Sequence, residues 1–233
     1  MTVLKARLLE SAGFHHGFST APVDFALLRD AAALRNAHAA LGCEVGFDPV
    51  RLYQTRQVHG REVVIARGDR VAFEAREADA LVAEAESGNT VGVRVADCVP
   101  VLLASSRTGA VAAVHAGWRG IEAGILEAAA KAIDADLAAV GPSIGPCCFQ
   151  VGHEVAARLA KAAGARVEVV ERVVGDKSFV DLRRAARAQL RAANMQDARI
   201  EDVPGCTRCD LRFHSYRRDG DASGRLIAVI RAA

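Results

Sequence analysis

Lysine, tryptophan, net charge and long apolar runs are all scarce in this chain. Only four of its 30 basic residues are lysine. Arginine is therefore the default cation, and an isolated arginine marks a solvated surface more often than a site. The formal net charge is +2, too mild to argue for nucleic acid or a membrane surface as partner. No stretch approaches the roughly 18 apolar residues of a membrane span. The opening MTVLKARLLESAGFHHGFST lacks the apolar run and small-residue cleavage site of a secretory signal. These absences predict a cytoplasmic protein. There, six cysteines at 43, 98, 147, 148, 206 and 209 read as thiols or ligands rather than a disulfide framework.

Several signatures are also missing. No G-x-G-x-x-G follows a strand and no phosphate-binding G-x-x-x-x-G-K-[ST] occurs, which argues against a doubly wound nucleotide fold. The H-x-E of zinc deaminases is absent. The seven histidines include no His-x-His, which speaks against a true multicopper oxidase.

What remains is ordinary globular material: 233 residues, 51% hydrophobic and 25% charged, without repeats or a convincing linker. One domain over residues 1–233 is expected. Strands are predicted at 3–9, 50–58, 61–67, 78–84, TVGVRV, GAVAAVHAG, LAAV, 167–173 and GRLIAVIRA. Pro100 is expected to interrupt the pattern after Asp97-Cys98. Helices are predicted over 24–41, with Asp24 as N-cap and Gly42 just past the end, over RGIEAGILEAAAKAIDA, over GHEVAARLAKAAG with Gly164 as its stop, and over 181–193 from Asp181. Strands and helices mix without strict alternation, so the expected class is α/β (α+β), a single compact domain with mixed β-sheets flanked by helices.

Three residues stand out because each ends a strand beside an irregular element: His59 in QVHG, Cys98 in ADCVP and His115 in VHAGWRG. Two imidazoles and one thiolate form a three-ligand zinc set that leaves a position open for water or substrate. Asp97 can orient a ligand or simply hold a turn. Gly117 and Gly120 bracket a helix start, where Arg119 would add a planar fork for phosphate or carboxylate. The GPSIGPCC loop, with Gly145, offers backbone N–H groups to a polar substrate or makes a tight crossover. Cys206 and Cys209 form C-x-x-C, but a structural zinc needs a second pair. Only Cys147-Cys148 or His214 are available, and their spacing is not that of a zinc knuckle, so metal is not the expected role there. The arginines of FHSYRRDGDASGR are expected in a salt-bridged surface loop.

The ordered set QVHG, ADALV, ADCVPVLL, AAVHAGWRG, GPSIGPCCFQVGHEV and SYRRDG…GR closely resembles the YfiH/laccase-domain family, also called the peptidoglycan editing factor or multicopper polyphenol oxidase family. The resemblance spans nearly the whole chain. It implies zinc, with copper possible, held by His59, Cys98 and His115. It implies a purine nucleoside phosphorylase acting with phosphate on adenosine, inosine and methylthioadenosine, with adenosine deaminase activity. Cys98, His115 and Arg119 would be catalytic, and Gln57, Asp97, Gly117 and Gly145 would bind substrate. Two alternatives accompany it: an amidohydrolase that edits cytoplasmic peptidoglycan precursors, with Cys98 as nucleophile and His115 as base, and a copper polyphenol oxidase. One departure is plain. The family usually continues HGFST into an arginine and a Gly-Gly-Val-Ser loop, whereas here HGFST runs into APVDFALLRD, read as the start of a helix.

Overall fold

An uninterrupted apolar strand such as VAAVHA needs cover on both faces, and the structure supplies it. The computed structural model describes residues 2–26, 30–165 and 167–233. Its centre is a six-stranded sheet in the order Ile200–Asp202, Leu137–Val140, Val99–Ala104, Val111–Ala116, Ala80–Ala83, Val63–Ile65. The two outer pairs are parallel and the three inner pairs antiparallel. A five-stranded sheet runs Val3–Leu4, His16–Ser19, Leu226–Arg231, Thr90–Val95, Leu52–Tyr53. A third, three-stranded sheet joins Gln150–Gly152, Lys177–Val180 and Val170–Val174. The expected mixed-sheet α/β class is the one observed.

The two-residue period of the strands distributes the core. Ala112 and Val114 pack with Val99, Val101 and Leu103 into a core shared with the helices Ile125–Ala132, His153–Ala163 and Leu182–Ala192. Val111 and Ala113, facing the other way, join Leu81, Leu102, Val91, Val93, Ala228 and Ile230 between the two large sheets. Ile227 and Val229 then bury against Leu41 and Val45 of the helix Ala31–Val45. The layers run helices, sheet, sheet, helix.

Several predicted boundaries move. The strand expected at 3–9 is only Val3–Leu4, followed by a helical turn Arg7–Ser11 whose first N–H groups, on Arg7 and Leu8, donate to the Glu201 carboxylate. The helix expected at 24–41 runs Ala31–Val45. Its N-cap is Asp30, which accepts from Ala32 N and Ala33 N, and its C-cap is Gly46 at φ +89°. Gly42 lies inside it, where a Cβ would meet Phe47 O at 2.7 Å. Asp24 instead accepts from Ala26 N and Arg225 N. Residues 27–29 of the expected helix lie outside the described residues. The segments expected at 50–58 and 61–67 reduce to Leu52–Tyr53 and Val63–Ile65. Pro100 does not interrupt its strand but sits second in Val99–Ala104, near the end where proline is tolerated. The long helix after His115 is broken into Trp118–Glu122 and Ile125–Ala132 by Gly124 at φ +83°, a conformation an L side chain rarely adopts.

Candidate active site

Three neighbouring strands bring Asp79, Cys98 and His115 to one end of the sandwich. Ala80 pairs with Val114 and Pro100 with His115. By the two-residue period, Asp79, Cys98 and His115 share the inter-sheet face with Leu81, Leu102 and Ala113. His59 arrives from the turn before Val63–Ile65, at φ +61°. The ligating atoms of His59, Cys98 and His115 all lie within 4.8 Å of one another. The two imidazole rings stand edge to face, centroids 4.8 Å apart at 76°.

Asp79, fully buried, builds this arrangement. Its carboxylate accepts from Val58 N (3.1 Å), His59 N (3.0 Å) and Gly60 N (2.7 Å), which fixes the turn that carries His59. It also takes His115 Nδ1 at 2.7 Å. With Nδ1 committed to a carboxylate, Nε2 is the nitrogen left for a metal or for Cys98, the carboxylate–histidine pattern found behind metal ligands. Sequence reasoning did not single out Asp79. Its signal was an acidic residue at the head of the apolar strand ADALV, a place where a carboxylate needs a buried partner.

Gly117 explains itself by contact. A Cβ there would stand 2.9 Å from His59 Cδ2 and 3.2 Å from Cys98 Sγ. Only glycine lets the backbone pass this close to the ligand set. The donors suit a metal on their own chemistry: a soft thiolate, two imidazoles, one of them oriented from behind, and no fourth protein ligand among the described residues.

The charges are mutually arranged. Burial pushes the Cys98 thiol up, but the His115 and His59 rings outweigh it and hold it below the ordinary thiol range. Burial pushes His115 down, and the Cys98 and Asp79 charges hold it above the usual imidazole range. Burial raises Asp79, but its bonds from His115 and from the Gly60 and Val58 N–H groups keep it below the usual carboxylate range. Without metal, these opposing influences favour a thiolate–imidazolium pair backed by a carboxylate.

This centre opens into a pocket of about 750 Å³. Arg56, Arg94, Arg217 and Arg225 border it, with Phe149 and Tyr216 as aromatic lining. Arg94 donates to Gln54 Oε1 (2.9 Å) and Thr55 O (2.8 Å), and burial lowers it to about 10. Gln57 and Asp97 also line the pocket, but both are engaged by protein. The Gln57 amide bonds Arg94 N and O at 2.8 and 2.7 Å. The Asp97 carboxylate, at φ +83°, accepts from Thr207 Oγ1 and from Arg217 N at 2.6 Å.

Two expected groups are placed elsewhere. Arg119 is exposed, outside the pocket lining, with its guanidinium 4.5 Å from the Trp118 ring centroid. Arg158 lies 5.2 Å from the same ring. The helix Trp118–Glu122 is too short for an anion site of its own. The Gly145 N–H does not face a substrate but donates to Cys206 Sγ at 3.2 Å. The stretch after HGFST is irregular through Ala26, which lines the pocket, rather than the beginning of a helix. Residues 141–145, Gly-Pro-Ser-Ile-Gly, carry the G-x-S-x-G spacing of a nucleophile elbow, correcting a sequence reading that takes this motif as absent and a serine hydrolase as unlikely. An elbow presents its serine at the surface; Ser143 is fully buried, with an Oγ that has no hydrogen-bond partner among the described residues.

Fold and site together define a laccase-like protein of the YfiH type: residues 15–233 match the family described as multi-copper polyphenol oxidoreductase laccase, and the chain belongs to it. It is 37% identical over 217 residues to adenosine deaminase RL5 of an unknown prokaryotic organism, covering 86% of this chain and 82% of that one. It is 38% identical over 183 residues to purine nucleoside phosphorylase YfiH of Escherichia coli K12, covering 75% and 71%. The crystal structure of YlmD from Geobacillus stearothermophilus superimposes with a TM-score of 0.85 at 29% identity, covering 95% and 92%. No helix among the described residues is long and apolar enough to cross a membrane.

Proposed function

We propose that this protein is a zinc-dependent purine nucleoside phosphorylase for adenosine, inosine and methylthioadenosine that also deaminates adenosine. The observation that carries the reading is the His59–Cys98–His115 set opening into a pocket that also holds arginines and an aromatic lining. Its volume, about 750 Å³, is that of a small-molecule site. The names of the relatives, purine nucleoside phosphorylase and adenosine deaminase, support the same class.

Zinc bound by the three residues would supply Lewis acidity and a water whose pKa is lowered to about 7. The chain's own groups do the rest. Asp79 holds His115 in the tautomer that presents Nε2. Phe149 and Tyr216 offer faces against which a purine stacks. Arg217 and Arg225 bring positive charge to a phosphate dianion, in place of the role expected for Arg119. A phosphate oxygen bonds to the ribose C1′ as the bond from C1′ to the base breaks, and the departing base takes a proton. Fixed guanidinium charges lower the cost of bringing the dianion to that carbon.

The metal-free charge pattern of Cys98 and His115 favours a second reading, a cysteine amidohydrolase acting on a cell-wall precursor. Product analysis separates the two. Purified protein is expected to convert inosine to hypoxanthine and ribose 1-phosphate only when phosphate is present, and to lose this activity on chelation. Arg225→Ala should raise the phosphate KM about tenfold or more, while Arg119→Ala leaves it within about twofold. Absence of nucleoside turnover from zinc-loaded protein, together with chelator-resistant release of an amino acid from a muropeptide precursor, would replace the phosphorylase by the hydrolase.

A further inference from the structure

The four cysteines outside the active site converge. Cys147 and Cys148 end the loop after Leu137–Val140. Cys206 and Cys209 lie in the loop after Ile200–Asp202. Their four Sγ atoms lie within 4.8 Å of one another. Cys147 Sγ is 3.5 Å from Cys206 Sγ and 3.7 Å from Cys209 Sγ, and Cys148 Sγ is 3.2 Å from Cys209 Sγ. All four are free thiols. A disulfide would need about 2.05 Å. A tetrahedral zinc tetrathiolate, with Zn–S near 2.3 Å, places its sulfurs about 3.8 Å apart. The observed spacings belong to the second geometry, slightly contracted.

The surroundings suit thiolates. Gly145 N donates to Cys206 Sγ at 3.2 Å, and Arg208 Nη1 stands 3.6 Å from Cys148 Sγ. Both place positive charge against sulfur, as a tetrathiolate centre of net charge −2 requires. The backbone is shaped for the cluster as well. Cys148 N and Phe149 N donate to Gly145 O, while Cys209 N and Asp210 N donate to Cys206 O, so each cysteine pair sits on a tight turn. A parallel bridge from Ser143 to Cys206 and a bond from Thr207 N to Ser143 O lock the two loops side by side. His214, the other donor the sequence offered, is engaged with Val23 O and takes no part.

We propose that Cys147, Cys148, Cys206 and Cys209 bind one zinc ion as a closed, structural tetrathiolate site, separate from the His59–Cys98–His115 centre. Binding replaces four S–H bonds by four Zn–S bonds and releases four protons. All four coordination positions are filled by protein, so the site does no chemistry on substrate. It fastens the loop that carries Ile144 and Phe149 into the pocket wall to the loop that carries Thr207, whose hydroxyl holds Asp97 beside Cys98.

The test is zinc content together with the chemistry of the thiols, and it does not depend on nucleoside activity. Cys98→Ala protein, stripped of one active-centre ligand, is expected to keep one zinc per chain. Cobalt exchanged into it should give the intense near-ultraviolet charge-transfer absorption of several thiolates. Cys206→Ser/Cys209→Ser protein should lose that zinc. Should that variant fail to fold, Cys98→Ala protein decides: organomercurial titration should release its one zinc as the four clustered thiols react, with the exposed Cys43 reacting without zinc release, and zinc should slow alkylation of the four cysteines at least tenfold relative to chelator. Zinc-free Cys98→Ala protein, alkylation indifferent to zinc, or a disulfide among the four in unreduced protein overturns the proposal.

Discussion

Asp79 braces the centre from two sides. One buried carboxylate fixes the His59 turn through three backbone N–H groups and orients the His115 ring through a fourth bond. Asn at this position keeps the size but supplies one acceptor oxygen and no charge. Asp79→Asn is therefore expected to weaken zinc binding about 10–100-fold, as the loss of a partner behind a metal ligand does. Competition of the variant with a calibrated chelator measures this, and wild-type affinity would show that Asp79 only braces the fold. His59, Cys98 and His115 were legible in the sequence because each sits where a strand meets an irregular element. Asp79 was not, because a carboxylate at a strand head has the same appearance whether it faces water or three N–H groups.

Among the elements, the longest apolar strands and two of the helix ends read most truly, with Gly164 and Asp181 capping their helices as expected. TVGVRV and LIAVIR are apolar on both faces and became Thr90–Val95 and Leu226–Arg231. The helix Ala31–Val45 is capped six residues later than expected, at Asp30 rather than Asp24, because the two offer the same capping chemistry and tertiary bonds chose between them. Asp24 was taken by Arg225 N, just before the final strand. Asp30→Ala is expected to destabilise the protein by about 1 kcal/mol, the usual cost of a lost N-cap. Denaturant melts read it directly. An unchanged midpoint would mean that helix packing against Ile227 and Val229, not capping, sets where the helix begins.

Two histidines make the whole molecule acid-sensitive: His16, buried on the strand His16–Ser19, and His38, half-buried on the helix Ala31–Val45. Burial lowers His16, whose Nε2 accepts from Ala6 N at 2.8 Å. Burial, with the Arg70 and Arg94 charges, lowers His38 to about 4. Both unfold to an ordinary value near 6.5. Below that value the unfolded chain binds more protons than the folded one, so stability falls as the pH drops from about 6.5 towards 4. Thermal midpoints should decline across this window and decline less in His16→Gln/His38→Gln protein. An equal slope in both would exclude these imidazoles as the cause. The sequence by itself determined the mixed α/β class and strands such as Thr90–Val95, Val111–Ala116 and Leu226–Arg231, since alternation and β-branching are local properties written along the chain. Tertiary structure alone decided which face each strand end presents, which arginines reach the pocket, and that Cys147-Cys148 meets Cys206 and Cys209. Those outcomes depend on register between strands and on loops far apart in sequence, and neither is fixed until the two sheets pack.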